Sequence, residues 1–222
     1  MNAQSCWLLG IVCSIGMVSA HADTQEPWIA RVGYANAAFS PSATLALAGN
    51  SVPGAELKIP DKWLPLVELG YEFADGWAAR IALAPPPAVT VLADGSLKGF
   101  APPLSGTIGK AKIAPIVMTV TYSPGTFHGF TPYVGAGVNY TIVMKTWDGD
   151  IASINAKNAW GSAFEVGADC SIDRNWSVYV DARKVYVKTT GTGIVPAFGG
   201  VPAQGEVALN PMIISAGVGY RF

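Results

Sequence analysis

Nine charged side chains fall where a small residue would be the ordinary choice. Arg31, Glu68, Glu72, Arg80, Glu165, Asp169, Asp181, Arg183 and Arg221 all lie on the less apolar face of segments that alternate with a period of two. In Val67 to Phe73, for example, Val67, Leu69, Tyr71 and Phe73 share one side of a strand, and Glu68, Gly70 and Glu72 share the other. Acids and guanidinium groups in such near balance can either transfer protons or neutralise one another. Hydrolytic and acyl-transfer chemistry generally uses a histidine base. His21 falls in an apparent leader, which leaves His128 in the turn Ser123 to Thr131, where a solvated turn residue is the simpler reading. Neutralisation therefore explains the charges: paired, they close a narrow interior, and unpaired they would be too costly to bury. No enzymatic activity and no cofactor are expected. Histidine and cysteine are too few for a metal site, although Asp148 and Asp150 could hold calcium weakly, and no phosphate loop or nucleotide fingerprint is present.

The elements that would carry these charges are strands of an unusual kind. Half of the 222 residues are hydrophobic and only 13% are charged, against about a quarter in soluble domains. The longest apolar run, Trp7 to Val18, is shorter than the roughly 20 residues a spanning helix needs. With Ala20-His21-Ala22 after it, the run reads as a signal peptide, residues 1–22, cut before Asp23. Cys6 and Cys13 leave with it, so Cys170 has no partner for a disulfide. A closed barrel is the other architecture that satisfies every backbone group in lipid. The formal net charge of −1 gives no reason to expect nucleic acid as a partner.

Residues 23–222 divide into eight such strands. The last, Met212 to Phe222, sets Met212, Ile214, Ala216, Val218, Tyr220 and Phe222 against mostly small residues. The others begin near Trp28, Leu64, Trp77, Lys112, Pro132, Gly161 and Trp176. Long connections rich in Gly and Pro cover 40–63, 85–111, 147–157 and 189–206, and short turns fall at 74–76, 123–131 and 173–175. Eight antiparallel strands, four long extracellular loops and short periplasmic turns describe a transmembrane β-barrel of the outer membrane. Trp28, Tyr71, Phe73, Trp77, Tyr122, Trp176, Tyr220 and Phe222 would form its interfacial girdles.

Pro132 to Thr141 (PYVGAGVNYT), Trp160-Gly161, Val166-Gly167, Trp176 with Asp181 and Arg183, and Gly219-Tyr220-Arg221-Phe222 resemble the OmpW family of outer-membrane barrels, which includes AlkL-type importers. The resemblance implies passive uptake of small hydrophobic molecules, and in some members use as a bacteriocin receptor. It also implies that Trp160 narrows the passage together with a leucine whose position falls on Ala82. Pro85-Pro86-Pro87-Ala88 stands where the family has Thr-Pro-Phe and a nearby His.

A bore of eight strands is about filled by its own side chains, so a water channel along its full length is not expected. Leu57, Trp63 and Phe100, with other apolar residues of the loops, would line an upper passage for oily ligands. Pro85, Pro86 and Pro87 lack backbone donors, and so mark the natural gap through which a ligand would leave sideways into the membrane. A different class remains open: a structural or receptor barrel recognised through its loops by phage, bacteriocin or host molecules. Expected partners are small hydrophobic molecules, outer-membrane lipid and lipopolysaccharide, and the barrel assembly machinery, which would engage the strand ending in Phe222.

Overall fold

The computed structural model describes residues 27–99 and 106–222. The leader, residues 1–22, and Phe100 lie outside the described residues. Fourteen strands account for nearly all of the rest: β1 (Trp28–Ala38), β2 (Ser42–Leu47), β3 (Asn50–Ser51), β4 (Ala55–Lys58), β5 (Lys62–Ala74), β6 (Trp77–Leu83), β7 (Ala88–Gly95), β8 (Thr107–Tyr122), β9 (Phe130–Asp148), β10 (Ala152–Ala156), β11 (Ala159–Ser171), β12 (Trp176–Val195), β13 (Val201–Ala208) and β14 (Met212–Arg221). Eight of them close a ring in the order β1, β5, β6, β8, β9, β11, β12, β14 and back to β1, each neighbour antiparallel. No described helix is long and apolar enough to cross a membrane.

Alternation decides the faces as the strand period requires. Val32, Tyr34, Val67, Val134, Val166, Val180 and Ile214 are exposed on the outer wall, while Arg31, Ala35, Glu68, Ala163, Asp181 and Ser215 are buried inside. At the periplasmic end the aromatics meet across strands. Trp28 lies against Tyr71 with ring centroids 4.7 Å apart, Trp77 against Tyr122 at 4.9 Å and Trp176 against Tyr220 at 4.9 Å. Each is a directly opposed pair in the register, so the lower girdle also reinforces the ladder.

The four long connections are not the structureless loops their Gly and Pro content suggests. β2, β3 and β4 lie within 40–63, β7 within 85–111, β10 within 147–157, and the last connection is a hairpin in which β12 runs to Val195 and pairs with β13. The barrel wall continues outward as paired sheet because small apolar side chains alternate between the glycines. Ala55, Ala93 and Leu97 form one buried cluster there, and Ile151, Val195 and Ala203 form another.

Two inward glycines make room for large rings. A Cβ at Gly167 would stand 2.5 Å from the Tyr133 hydroxyl and 2.6 Å from its Cζ; one at Gly33 would stand 2.6 Å from the Tyr179 hydroxyl. On the periplasmic side, Asp173 accepts the backbone N–H groups of Trp176 (2.7 Å) and Asn175 (2.9 Å) and so holds the β11–β12 turn.

Gly167→Val should displace Tyr133 and lower stability by about 1–3 kcal/mol. Unfolding the refolded barrel in urea would measure the loss, and adding Tyr133→Leu should recover part of it. The backbone bonds from Trp176 and Asn175 hold the Asp173 carboxyl below its usual range. A depressed carboxyl contributes stability that is whole above its unfolded-state pKa and lost as pH falls through the folded one. The protection factor of the Trp176 amide, its exchange rate corrected for the intrinsic dependence on pH, should therefore be flat around neutrality and fall only below the ordinary carboxylate range.

Candidate functional site: an apolar chamber above an ion cluster

Seven of the nine inward charges meet in the lower bore. Arg31 Nη1 donates to Glu68 Oε1 at 2.7 Å, and Arg31 Nη2 also bonds Asp169. Arg80 Nη1 donates to Glu165 Oε1 at 3.3 Å and lies 3.7 Å from Glu68. Arg183 bonds Glu68, and its Nε lies 3.1 Å from Asp181 and 3.2 Å from Glu165. The side chains of Arg31, Glu68 and Glu165 are essentially inaccessible to solvent. Each guanidinium group serves at least two carboxylates, which is how three cations can hold four anions in a space too dry for any of them alone.

Neutral groups complete the cluster. Tyr133 Oη accepts from Arg31 at 3.2 Å and donates to Asp181 Oδ2 at 3.3 Å, and the Arg80 guanidinium lies 3.8 Å from the centre of its ring. Thr119 Oγ1 donates to Glu165 Oε2 at 2.7 Å, and Ser215 Oγ donates to Asp181 Oδ1 at 3.4 Å. The strand period places Tyr133, Thr119 and Ser215 inward, but nothing in the sequence marks them as partners of these charges. Glu72 and Arg221 do not belong to the buried set. They pair at 2.7 Å, partly exposed, in a polar periplasmic mouth that lies below it. Parity assigns a face and not a height, which is why the sequence groups them with the others.

Above the ions lies an apolar layer that includes Ala82, Leu66, Val117, Ala163 and Val185. A cavity of about 170 Å³ opens on the outer side. Its wall is almost wholly apolar: Leu45, Leu57, Val89, Val91 and Ile113 line it together with Leu97, Ile108, Val143, Ile154, Val187 and Val207. Leu97, Ile108 and Ile154 lie in the expected connections and Val207 just past one, so the sequence gives them no face; Val143 and Val187 lie on expected strands with inward parity, which assigns the face but not the height of the chamber.

Trp160 and Trp63 must be corrected. Both lie on the outer face, 65% and 71% exposed, and neither lines the cavity. Trp160 stacks on Tyr140 at 4.5 Å between ring centroids and belongs to an aromatic belt near the outer end of the wall. The period of its own strand, with Phe164 and Val166 outward, already requires this placement. Among the described residues no group of His, Cys, Asp and Glu side chains could hold a metal. Asp148 accepts the Ile154 N–H at 3.1 Å and Asp150 the Gly106 N–H at 3.2 Å, so both act as loop anchors. His128 sits in the β8–β9 turn with a positive φ of 53°.

The wall beside the cavity is interrupted. β5 pairs with β6 only as far as Val67 opposite Leu83, and pairing resumes at Lys58 opposite Leu92, between β4 and β7. Between those limits, residues 59–66 face 84–91 without a ladder. Five prolines border the seam, Pro60 and Pro65 on one side and Pro85, Pro86 and Pro87 on the other, and none has a backbone donor to offer. Pro87 is tied to the far neighbour instead, its carbonyl accepting from Ile113 N at 3.1 Å. Ile59, Leu66 and Val89 are buried behind the seam.

The OmpW family sequence pattern matches residues 26–222. The chain belongs to the OmpW family. It is 35% identical over 198 residues to the dibenzothiophene metabolism operon protein PahQ of Pseudomonas aeruginosa, covering 89% of this chain and 90% of that one. It is 24% identical over 199 residues to outer membrane protein AlkL of Ectopseudomonas oleovorans, covering 89% and 83%. The crystal structure of OprG from Pseudomonas aeruginosa superposes with a TM-score of 0.79 at 25% identity, covering 89% of this chain and 96% of that one. Like these OmpW proteins, the chain is an eight-stranded antiparallel barrel of the outer membrane.

Arg31→Met would leave Glu68 and Asp169 buried without their shared cation. The refolded barrel should lose about 3–5 kcal/mol, measured as a lower urea midpoint in detergent micelles.

Proposed function

We propose that this OmpW protein mediates passive uptake of small hydrophobic molecules, which enter from the extracellular mouth and leave sideways into the membrane. The observation that carries the reading is the position of the apolar chamber. Its floor is closed by the ion cluster, and its side adjoins the stretch of the barrel wall between residues 59–66 and 84–91 that lacks a strand ladder. An engineered apolar cavity of about 150 Å³ in another protein stays dry and takes benzene. A chamber of about 170 Å³ suits ligands of that chemistry and has little to offer a polar solute, since apolar walls with few polar groups cannot replace its water. The relatives support the same class: PahQ is named for an operon of dibenzothiophene metabolism.

In this reading Leu57 and Ala82 shape the passage, while Pro85, Pro86 and Pro87 keep the seam free of backbone bonds. Ile59, Leu66 and Val89 close it by packing alone, and apolar contacts can part without breaking a hydrogen bond. No covalent step is involved.

The test joins cysteines at Pro65 and Pro85 with a reducible bifunctional thiol reagent in a Cys170→Ser background, because Cys170 is a free, exposed thiol. Uptake of a radiolabelled aromatic hydrocarbon by cells should stop on cross-linking and return on reduction. Unchanged uptake rejects the lateral route. Equal growth with and without the gene on a dilute hydrophobic carbon source would favour a receptor barrel instead.

A further inference from the structure

The outer wall carries an unneutralised cationic site on β8 and β9. Lys112 stands directly opposite Lys145 in the register, and Lys110 stands opposite Trp147. Like charges facing each other across a strand pair are unfavourable, and nothing internal offsets these. Three other lysines are partnered: Lys98 with Asp94, Lys188 with Glu206, and Lys184 with the Asn210 carbonyl. Lys110, Lys112 and Lys145 have no acidic partner among the described residues. The neighbouring edge of β7 presents Ala88 opposite Lys112 and Thr90 opposite Lys110, so it adds no charge. Asp148, the nearest carboxylate along β9, turns the other way to accept the Ile154 N–H. Thr146 likewise bonds the Ile154 carbonyl at 2.7 Å. This leaves Lys145 and Trp147 outward, with the lysine Nζ 5.1 Å from the centre of the indole.

The height of the patch is set by the strands. On β8 the outward apolar run starts at Tyr122, in the periplasmic girdle, and ends just before Lys112. Ten residues at about 3.3 Å each, tilted by roughly 40°, rise about 25 Å, the thickness of the apolar band of such barrels. On β9 the run from Val134 through Met144 has the same length, and Lys145 follows it. The lysines therefore stand at the outer edge of the hydrocarbon, where the phosphate groups of the outer leaflet lie. A tryptophan beside them suits the same interface.

We propose that Lys110, Lys112 and Lys145, with Trp147, form a binding site for the phosphorylated headgroup of lipopolysaccharide. The opposed Lys112 and Lys145 would share one phosphate, which turns their repulsion into a common attraction, while Lys110 reaches the adjoining headgroup from the side exposed to solvent. Lys112, Lys145 and Trp147 lie off the chamber and Lys110 borders it, and the site does not depend on the uptake reading.

The purified barrel in neutral detergent should be titrated with lipid A carrying both phosphates, with enzymatically dephosphorylated lipid A, and with phosphatidylglycerol, using native mass spectrometry to count bound lipids. The bis-phosphorylated lipid should bind about tenfold or more tighter than the other two, and added salt should weaken it. Lys110→Gln, Lys112→Gln and Lys145→Gln together should abolish the preference, whereas Lys98→Gln with Lys188→Gln should leave it intact. Equal binding of the dephosphorylated lipid, equal binding of phosphatidylglycerol, or an unchanged preference in the triple variant would each overturn the site. If the triple variant does not fold, the three lipids on the wild-type barrel decide the matter.

Discussion

Three guanidinium groups and four carboxylates share the lower bore, and the architecture above and below answers to that arrangement. None of these charges could remain in so dry a space alone. Strands that face each other over the bore are therefore tied together: β1 to β11 through Arg31 and Asp169, β12 to β5 through Arg183 and Glu68, and β6 to β11 through Arg80 and Glu165. The cluster is a cross-brace between strands that are not ring neighbours. It also requires space, and the inward glycines supply it by letting Tyr133 and Tyr179 lie across the bore between the charges.

The brace divides the interior by chemistry. Below it the mouth is polar and open; above it an apolar layer gives way to an apolar chamber. A side chain on the inner face meets ions, grease or ligand space according to its height alone. The outer face is divided in the same way, with aromatics at both ends and hydrocarbon-facing residues between them. At the interruption between residues 59–66 and 84–91, beside the chamber, the two faces are separated by side chains without a backbone ladder.

The eight-fold alternation was legible because lipid and a crowded bore make opposite demands on neighbouring residues, so each strand declares its own faces. The charges of the cluster could be read from parity for that reason. Height could not: Glu72 and Arg221 have the right face and the wrong level. A β-bulge between Lys112 and Ile113, opposite Val143 and Lys145, shifts parity in β9 beyond Val143, turning Thr146 toward the chamber and Lys145 outward. The outer strands were hidden by their glycines and prolines, which read as loop even where paired sheet continues. Trp160 is instructive in the opposite sense. Its own strand places it on the lipid face, and a family likeness placed it in the passage; the local period was the better guide.

The ion brace has one more consequence, for the cell. On the proposed reading, in which ion pairs spanning the bore plug it, the number of copies in the membrane would be uncoupled from leakiness to salts and nutrients. A bacterium could crowd its surface with such barrels and keep its permeability barrier, a freedom that an open pore does not allow.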